Sequence, residues 1–531
     1  MSTLGVKGSD VYNTTGSTLL DLSTMLNNGL SKDIIKRELQ KVFETGTQKD
    51  KIDAFVLAFQ TRDIRGGKGE RDLFYHIFET LLLLNPEATE ATIPLIPEYG
   101  CWRDIFKLFH LTNFTSLVTN QLHQDLIANK PSLLAKHAPR EHNKKDKPLA
   151  SILANAMFPN EPNALKFYRK TLSKLNKRLN TVEIAMCAKN FASIDPSNVP
   201  GRALKLYTKA FLNKPVHSYY GRRAPSMDLD RITASQNFTD YFALASKGLR
   251  KVNGANTVYP HELVEKVLCN DYIDFDAIEA QWLSIVRPIK EAGIFNHTLA
   301  MCDFSGSMSG NAMHVSMALG LIIAECNTGI FKDHILTFDS TPTLHKFEAT
   351  TFVGRVDEIK DLAQGVSTDF QAAYNLILSK LKDMAVCVGQ EPKDLIVLTD
   401  MGWDSACGFD ESGTYTNNQY KYAVNTQNVE THPQIARRDF QLAGEQLFGQ
   451  GNGWLAPRII IWNLRTELKE FHTTTLEQGI LQVSGWSPSL LKVLIKKGVD
   501  AMTPQAILRA QLDDERYDPV RSAVAHYFSA D

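Results

Sequence analysis

Met301-Cys302-Asp303-Phe304-Ser305-Gly306-Ser307-Met308-Ser309-Gly310 ends an apolar run on Asp-x-Ser-x-Ser and leads into a helical pattern. One carboxylate and two hydroxyls on a tight turn suit a hard divalent cation, which takes oxygen ligands in near-octahedral array and keeps part of its water shell. Two more oxygen donors stand downstream in comparable places. Thr368, in Gly365-Val366-Ser367-Thr368-Asp369-Phe370, opens a helical stretch, and Asp400 ends the apolar run Leu395-Ile396-Val397-Leu398-Thr399-Asp400. Asp303, Ser305, Ser307, Thr368 and Asp400 are the expected ligands of Mg²⁺ or Mn²⁺. Ser, Asp and Gly are also ordinary turn and cap residues, and Asn311 would cap the following helix with no metal involved.

Short apolar runs at 297–303, 334–338, 394–400, 458–464 and 480–484 alternate with helical stretches at 312–326, 370–381, 434–447 and 489–495. That alternation predicts a doubly wound, Rossmann-like parallel sheet over residues 291–500, with ligands bound outside the carboxyl ends of its strands, where Asp303 and Asp400 fall. Residues 403–431 are rich in Asn, Gln, Gly, Ser and Tyr, and are expected to form a surface loop over that edge. Asp404, at its start, is an alternative carboxylate.

The N-terminal half has a different rhythm. Apolar residues recur at helical spacing over 52–59, 73–84 and 102–111, with a shorter piece at 91–96. Asn85-Pro86, Pro97-Glu98-Tyr99-Gly100, Asp195-Pro196 and Val199-Pro200 interrupt them, and sustained period-2 alternation is missing between 19 and 285. An all-α, HEAT-like helical array over residues 19–290 is expected, after a flexible N-terminus (1–18) and before a C-terminal helical extension (501–531). No regular repeat is detectable, so this architecture rests on helix pairing. Thr61-Arg62-Asp63-Ile64-Arg65-Gly66-Gly67-Lys68-Gly69-Glu70-Arg71 suggests a phosphate loop but fails the Walker pattern, because Gly69 follows Lys68 where Ser or Thr is needed. Two readings remain for it: Arg62 and Asp63 bridge neighbouring helices, or Arg62, Arg65 and Lys68 face a phosphate backbone.

The 531 residues, 43% of them hydrophobic, are enough for about two to four domains with substantial cores. Seven scattered cysteines without Cys-x-x-Cys pairs point to a reducing compartment. The opening residues carry no apolar signal segment, and no run of about 18 apolar residues occurs, so a soluble, cytoplasmic protein without membrane contact is expected. Net charge is −1, yet between Pro131 and Arg223 there are 18 Lys plus Arg against 5 Asp plus Glu. The local +13 leaves −14 for the rest. Cations alternate there with aromatics: Lys166-Phe167-Tyr168-Arg169-Lys170, Lys174, Lys177-Arg178, then Tyr219-Tyr220-Gly221-Arg222-Arg223. Phosphates and stacked single-stranded bases together call for that mixture. The plainer alternative is a solvated helical face with Phe167 and Leu172 turned to the core.

Several of these motifs carry a resemblance. The 61–71 motif, Tyr99-Gly100-Cys101-Trp102-Arg103-Asp104, Met186-Cys187-Ala188-Lys189, Tyr259-Pro260-His261-Glu262-Leu263, the Asp-x-Ser-x-Ser motif and Val483-Ser484-Gly485-Trp486-Ser487 resemble an uncharacterised family of plants, fungi and large DNA viruses. The likeness spans about residues 49–495 and leaves open a viral origin. The order Asp303, Ser305, Ser307, Thr368, Asp400 resembles the metal-ion-dependent adhesion site (MIDAS) of von Willebrand factor A (vWA) domains. Met401-Gly402-Trp403-Asp404 departs from the Gly that many of those domains have directly after the last Asp.

The two-part plan is similar to TROVE-domain Ro ribonucleoproteins, whose ring of HEAT-like helices abuts a vWA domain. That likeness implies a TROVE-like ring or arc binding single-stranded ends or small structured RNAs, and a Mg²⁺ ion bridging to an acidic protein partner. A non-enzymatic RNA-binding protein is the leading expectation. A metal-bridged scaffold is the second, and a metal hydrolase, which would need a base such as His314 or Asp404 beside the ion, the third.

Overall fold

Apolar runs of five or six residues without alternation can be satisfied in the middle of a sheet covered on both faces. The computed structural model describes residues 2–4, 10–12, 14–27, 29–218, 221–252, 258–269, 274–293, 295–338, 342–362, 370–400, 432–464, 480–484 and 504–528. In it the chain is mostly helical and carries one larger sheet. Two small antiparallel hairpins come first: β1 (Ser2–Leu4) with β2 (Asp10–Tyr12), and β3 (Val216–Ser218) with β4 (Gly221–Arg223). The sheet is built from β5 (Thr298–Asp303), β6 (His334–Phe338), β7 (Leu344–Lys346), β8 (Asp394–Thr399), β9 (Arg458–Asn463) and β10 (Ile480–Ser484), in the order β10-β9-β8-β5-β6-β7. All pairings are parallel except β6 with β7.

The five expected strands form. The sixth, β7, is three residues of half-exposed edge, too short and too wet to register as an apolar run. The hairpin β3–β4 likewise interrupts the expected all-helical stretch. Of the expected helices, Asn311–Cys326, Phe370–Asp383 and His432–Phe448 form; 489–495 lies outside the described residues. Asn311 does not act as the cap: it is the first helical residue, behind Gly310 at φ 89°. The first residues are not merely a tail, since Thr15 N–H donates to Asp21 Oδ1 at 2.8 Å and Ser17 caps the helix Thr18–Met25.

Side chains along β5 alternate between two cores, as strand geometry requires. Leu299 and Met301 join Leu336, Val397 and Ile461 beneath the helices Phe370–Asp383 and His432–Phe448. Ala300 and Cys302 face the other way, toward the helix Asn311–Cys326. That helix approaches so closely that a Cβ on Gly320 would sit 2.5 Å from Cys302 Sγ. The same core continues into helices Leu229–Ala245, Pro260–Cys269 and Phe275–Glu291, so the change from helical half to sheet near residue 290 falls inside one apolar core.

A separate core gathers the helices from Leu19 to Leu175, and it also takes in Leu508, Leu512, Tyr517, Val520 and Val524. The C-terminal helices Pro504–Leu512 and Asp518–Val524 are thus embedded in the N-terminal array. Three carboxylates with no solvent exposure fix this arrangement. Asp53 pairs with Arg509 at 2.6 Å, Asp63 with Arg516 (Nη2 to Oδ1 2.9 Å), and Asp104 with Arg62 at 2.8 Å. Asp104 also accepts from Tyr75 Oη at 2.7 Å and from the Cys101 N–H at 2.9 Å. A Cβ at Gly100 would stand 2.1 Å from Asp104 Oδ2, so the loop needs glycine there. Two motifs that look unrelated in sequence, 61–71 and 99–104, are one joint.

Removing one partner of a buried pair strands the other's charge. Arg62→Met is expected to destabilise the fold by roughly 3–5 kcal/mol in urea unfolding, whereas Arg65→Met, on the exposed side of the same loop, should stay within about 0.5 kcal/mol of wild type.

Candidate functional site

The parallel register between β5 and β8 pairs Cys302 with Leu398. Continued one step, it sets Asp303 beside Thr399, with Asp400 just beyond the strand. The two acidic residues therefore leave adjacent central strands at the same edge, with β6 on the other side of β5. Asp303 is buried; its Oδ1 accepts the Ser305 N–H at 2.9 Å and its Oδ2 accepts the Thr399 hydroxyl at 3.0 Å. Ser305 Oγ lies 2.9 Å from Ser307 Oγ. Ser305 and Asp400 are buried and Ser307 is exposed, so the turn runs from the interior to the surface.

Burial, and then the neighbouring charge of Asp400, push the Asp303 carboxyl up to about 6. Two buried carboxylates plus two hydroxyls are a donor set that fits a hard cation: the ion would relieve the like-charge cost, and the exposed side leaves room for water. Thr368 and Asp404 lie outside the described residues. Among the described residues there is no group of three or more His, Cys, Asp or Glu side chains able to hold a metal, so any ion here would depend on the hydroxyls. His314 sits on the helix Asn311–Cys326, where burial lowers its pKa against the opposing pull of the Glu265 charge. Sequence reading passed over Thr399, whose hydroxyl holds Asp303; a threonine inside a strand reads as an ordinary β-branched residue.

Residues 297–524 match a family model described as a domain of unknown function (DUF7788). The whole chain is similar to an uncharacterized protein of Acanthamoeba polyphaga mimivirus, 28% identical over 545 residues that cover 97% of this chain and 87% of that protein. The family match begins at the sheet and runs through the C-terminal helices lodged in the N-terminal core, so it spans parts of separate cores.

The basic candidates divide into three groups. Arg62 and Lys68 are buried, and the expectation that they face a phosphate backbone is overturned. Arg62 belongs to the Asp104 pair, and Lys68 Nζ donates to the carbonyls of Ser23 (2.5 Å) and Leu26 (3.0 Å), tying down the end of the first helix. Burial lowers the Lys68 pKa and raises that of Glu70 beside it. Arg65 is exposed and donates to the Glu98 carbonyl at 3.1 Å.

The second group lies on the helix Ala164–Leu179. Tyr168, Leu172 and Leu175 face inward, while Lys166, Arg169, Lys170, Lys174, Lys177 and Arg178 are exposed. Arg169 pairs with Glu141, and Arg178 closes the helix Thr115–Ile127 by donating to the carbonyls of Asp125, Leu126 and Ala128. Lys166, Lys170, Lys174 and Lys177 have no hydrogen-bond or ion-pair partner among the described residues. Phe167, expected inward on the plainer reading, is 38% exposed and rests against Phe158, with ring centroids 5.8 Å apart. Arg222 and Arg223 form a third group, on β4, with side chains outside the described residues.

No helix among the described residues is long and apolar enough to cross a membrane.

The two acids at the strand ends set an expectation for Asp303→Asn. In chelated buffer the variant should melt at or above wild type, because it removes a buried like charge. Mg²⁺ should stabilise the wild type by about 2.7 kcal/mol at a hundred times Kd, read as a raised melting midpoint, and leave the variant's midpoint unmoved. With its carboxyl raised to about 6, metal-free folded protein holds a proton that the unfolded chain releases near 4. Stability from this group should therefore fall as pH rises from about 4 past 6, a slope that Asp303→Asn flattens in a pH series of thermal melts.

Proposed function

We propose that the protein binds RNA through the exposed face of the helix Ala164–Leu179. The supporting observation is a row of four unpaired lysines, Lys166, Lys170, Lys174 and Lys177, with a half-open aromatic, Phe167, among them. Unpaired cations release counterions on meeting phosphates, and an exposed ring offers a face to an unstacked base; together they favour single-stranded RNA over duplex. Lys144, Lys145 and Lys147, exposed in the preceding segment, extend the positive field. On this reading the helical part is a TROVE-like, HEAT-like array, and the protein acts as a ribonucleoprotein component in the cytoplasm, cellular or viral, without catalysis of its own.

The α/β part, read as a vWA domain, supplies a partner contact. Asp303, Ser305, Ser307 and Asp400, with Thr368, would hold Mg²⁺, and an acidic side chain from another protein would complete its shell. The paired buried carboxylates favour a second reading as well, in which the metal-bridged contact is the whole function and the protein is an assembly scaffold without RNA.

Reversing Lys166, Lys170, Lys174 and Lys177 to Glu separates the two. The RNA reading expects wild type to bind single-stranded RNA with a steep salt dependence, unaffected by EDTA. In the reversed variant the slope of log affinity against log salt should become shallower by roughly 0.7 for each phosphate that a lysine no longer neutralises. If wild type does not bind RNA at low salt, while a protein partner is released by EDTA and by Asp303→Asn, the scaffold stands instead.

A further inference from the structure

Beneath the basic helix lies a half-open cavity of about 440 Å³, inside the roughly 300–1,000 Å³ of ordinary small-molecule sites. Its walls are mostly apolar: Pro139, Leu165, Tyr168 and Leu172. Arg140 and Arg169 stand at it with opposite circumstances. Arg169 is neutralised by Glu141, which also has His142 3.5 Å away. Arg140 is half-buried and donates one bond, from Nη2 to the Ala135 carbonyl at 2.9 Å. No carboxylate pairs with it among the described residues. Burial without a counter-charge disfavours its charged state and lowers its pKa. A guanidinium held at an apolar cavity with its other donors uncommitted is arranged for an anion that arrives with an apolar, planar body.

We propose that this cavity binds a nucleoside monophosphate moiety, the base against Leu165, Tyr168 and Leu172 and the phosphate on Arg140. The choice of a nucleotide rests on the RNA reading above, because Lys166 and Lys170 follow Leu165 and Arg169 directly and carry the positive field from the cavity mouth along the helix. The moiety is either a free nucleotide or the terminal residue of a strand lying along those lysines. An end-bound strand would place one base in the cavity and the rest on the exposed face, which Phe167 shares.

The test uses the full chain and equilibrium dialysis with uridine 5′-monophosphate, adenosine 5′-monophosphate, uridine and inorganic phosphate as separate probes. A single-stranded RNA dodecamer is measured in parallel. At least one monophosphate is expected to bind about tenfold or more tightly than uridine or phosphate alone, and Arg140→Gln to lose that advantage. Leu165→Trp, which fills the cavity, should abolish it while leaving the circular-dichroism melt intact. If that variant does not fold, Arg140→Gln, which keeps a donor for Ala135 and removes the charge, decides the case.

The four-lysine reversal should lose the dodecamer, whereas Arg140→Gln should lose the preference for monophosphates. Monophosphates bound no better than phosphate, or bound equally by the cavity-filled variant, overturn the proposal even if the dodecamer still binds through the lysines. Monophosphates bound by wild type without any dodecamer binding keep the site, as one for free nucleotides, and remove the RNA reading instead.

Discussion

Three carboxylates without solvent exposure, Asp53, Asp63 and Asp104, hold this chain in its shape, each against an arginine from a distant part of the sequence. A buried ionised carboxylate is tolerated only when it is paired and hydrogen-bonded, so each pair admits one arrangement of the helices around it. Two of the partners, Arg509 and Arg516, come from the last helices, and Tyr517 and Tyr99 pack with ring centroids 5.7 Å apart over the same joint. The Tyr99 hydroxyl donates to the Arg516 carbonyl at 2.6 Å. These contacts draw the C-terminal helices out of the α/β part and into the N-terminal core. A further tie joins the halves where Asn27 Nδ2 donates to the Asn463 carbonyl, at the end of β9, at 2.5 Å.

With the halves so joined, charge is separated in space. The strand-end site concentrates negative charge in the interior, where Asp303 and Asp400 oppose one another unless a cation or a proton intervenes. The helix Ala164–Leu179 carries positive charge at the surface, where four of its lysines have no carboxylate partner among the described residues. The buried negative charge and the exposed positive charge lie on separate parts of the molecule.

The sheet was readable in the sequence because its central strands are buried on both faces and so are written as unbroken apolar runs. The Asp-x-Ser-x-Ser turn was readable as a turn at a strand end because it follows an unbroken apolar run and precedes a helical pattern. Arg62 and Lys68 misled for the opposite reason. A cation beside glycines looks the same whether it meets phosphate or a buried acceptor, and only Asp104, forty-two residues away, and the carbonyls of Ser23 and Leu26 decide between them. The sequence leaves Phe167 open between core and surface: its helical position is compatible with either face, and its exposure follows from which side Tyr168, Leu172 and Leu175 turn inward.

By itself the sequence determined a helical half, an α/β half, the two acids at strand ends and the excess of positive charge between Pro131 and Arg223, because these are properties of local pattern and composition. Tertiary structure alone decided which cations are free and which are spent on buried acids. It also decided that Thr399 supports Asp303, that Arg140 stands at a cavity without a counter-charge, and that the last helices belong to the first core. Each depends on atoms brought together from distant positions, and desolvation, which sets the cost of an unpaired charge, is a property of the assembled fold rather than of any stretch of chain.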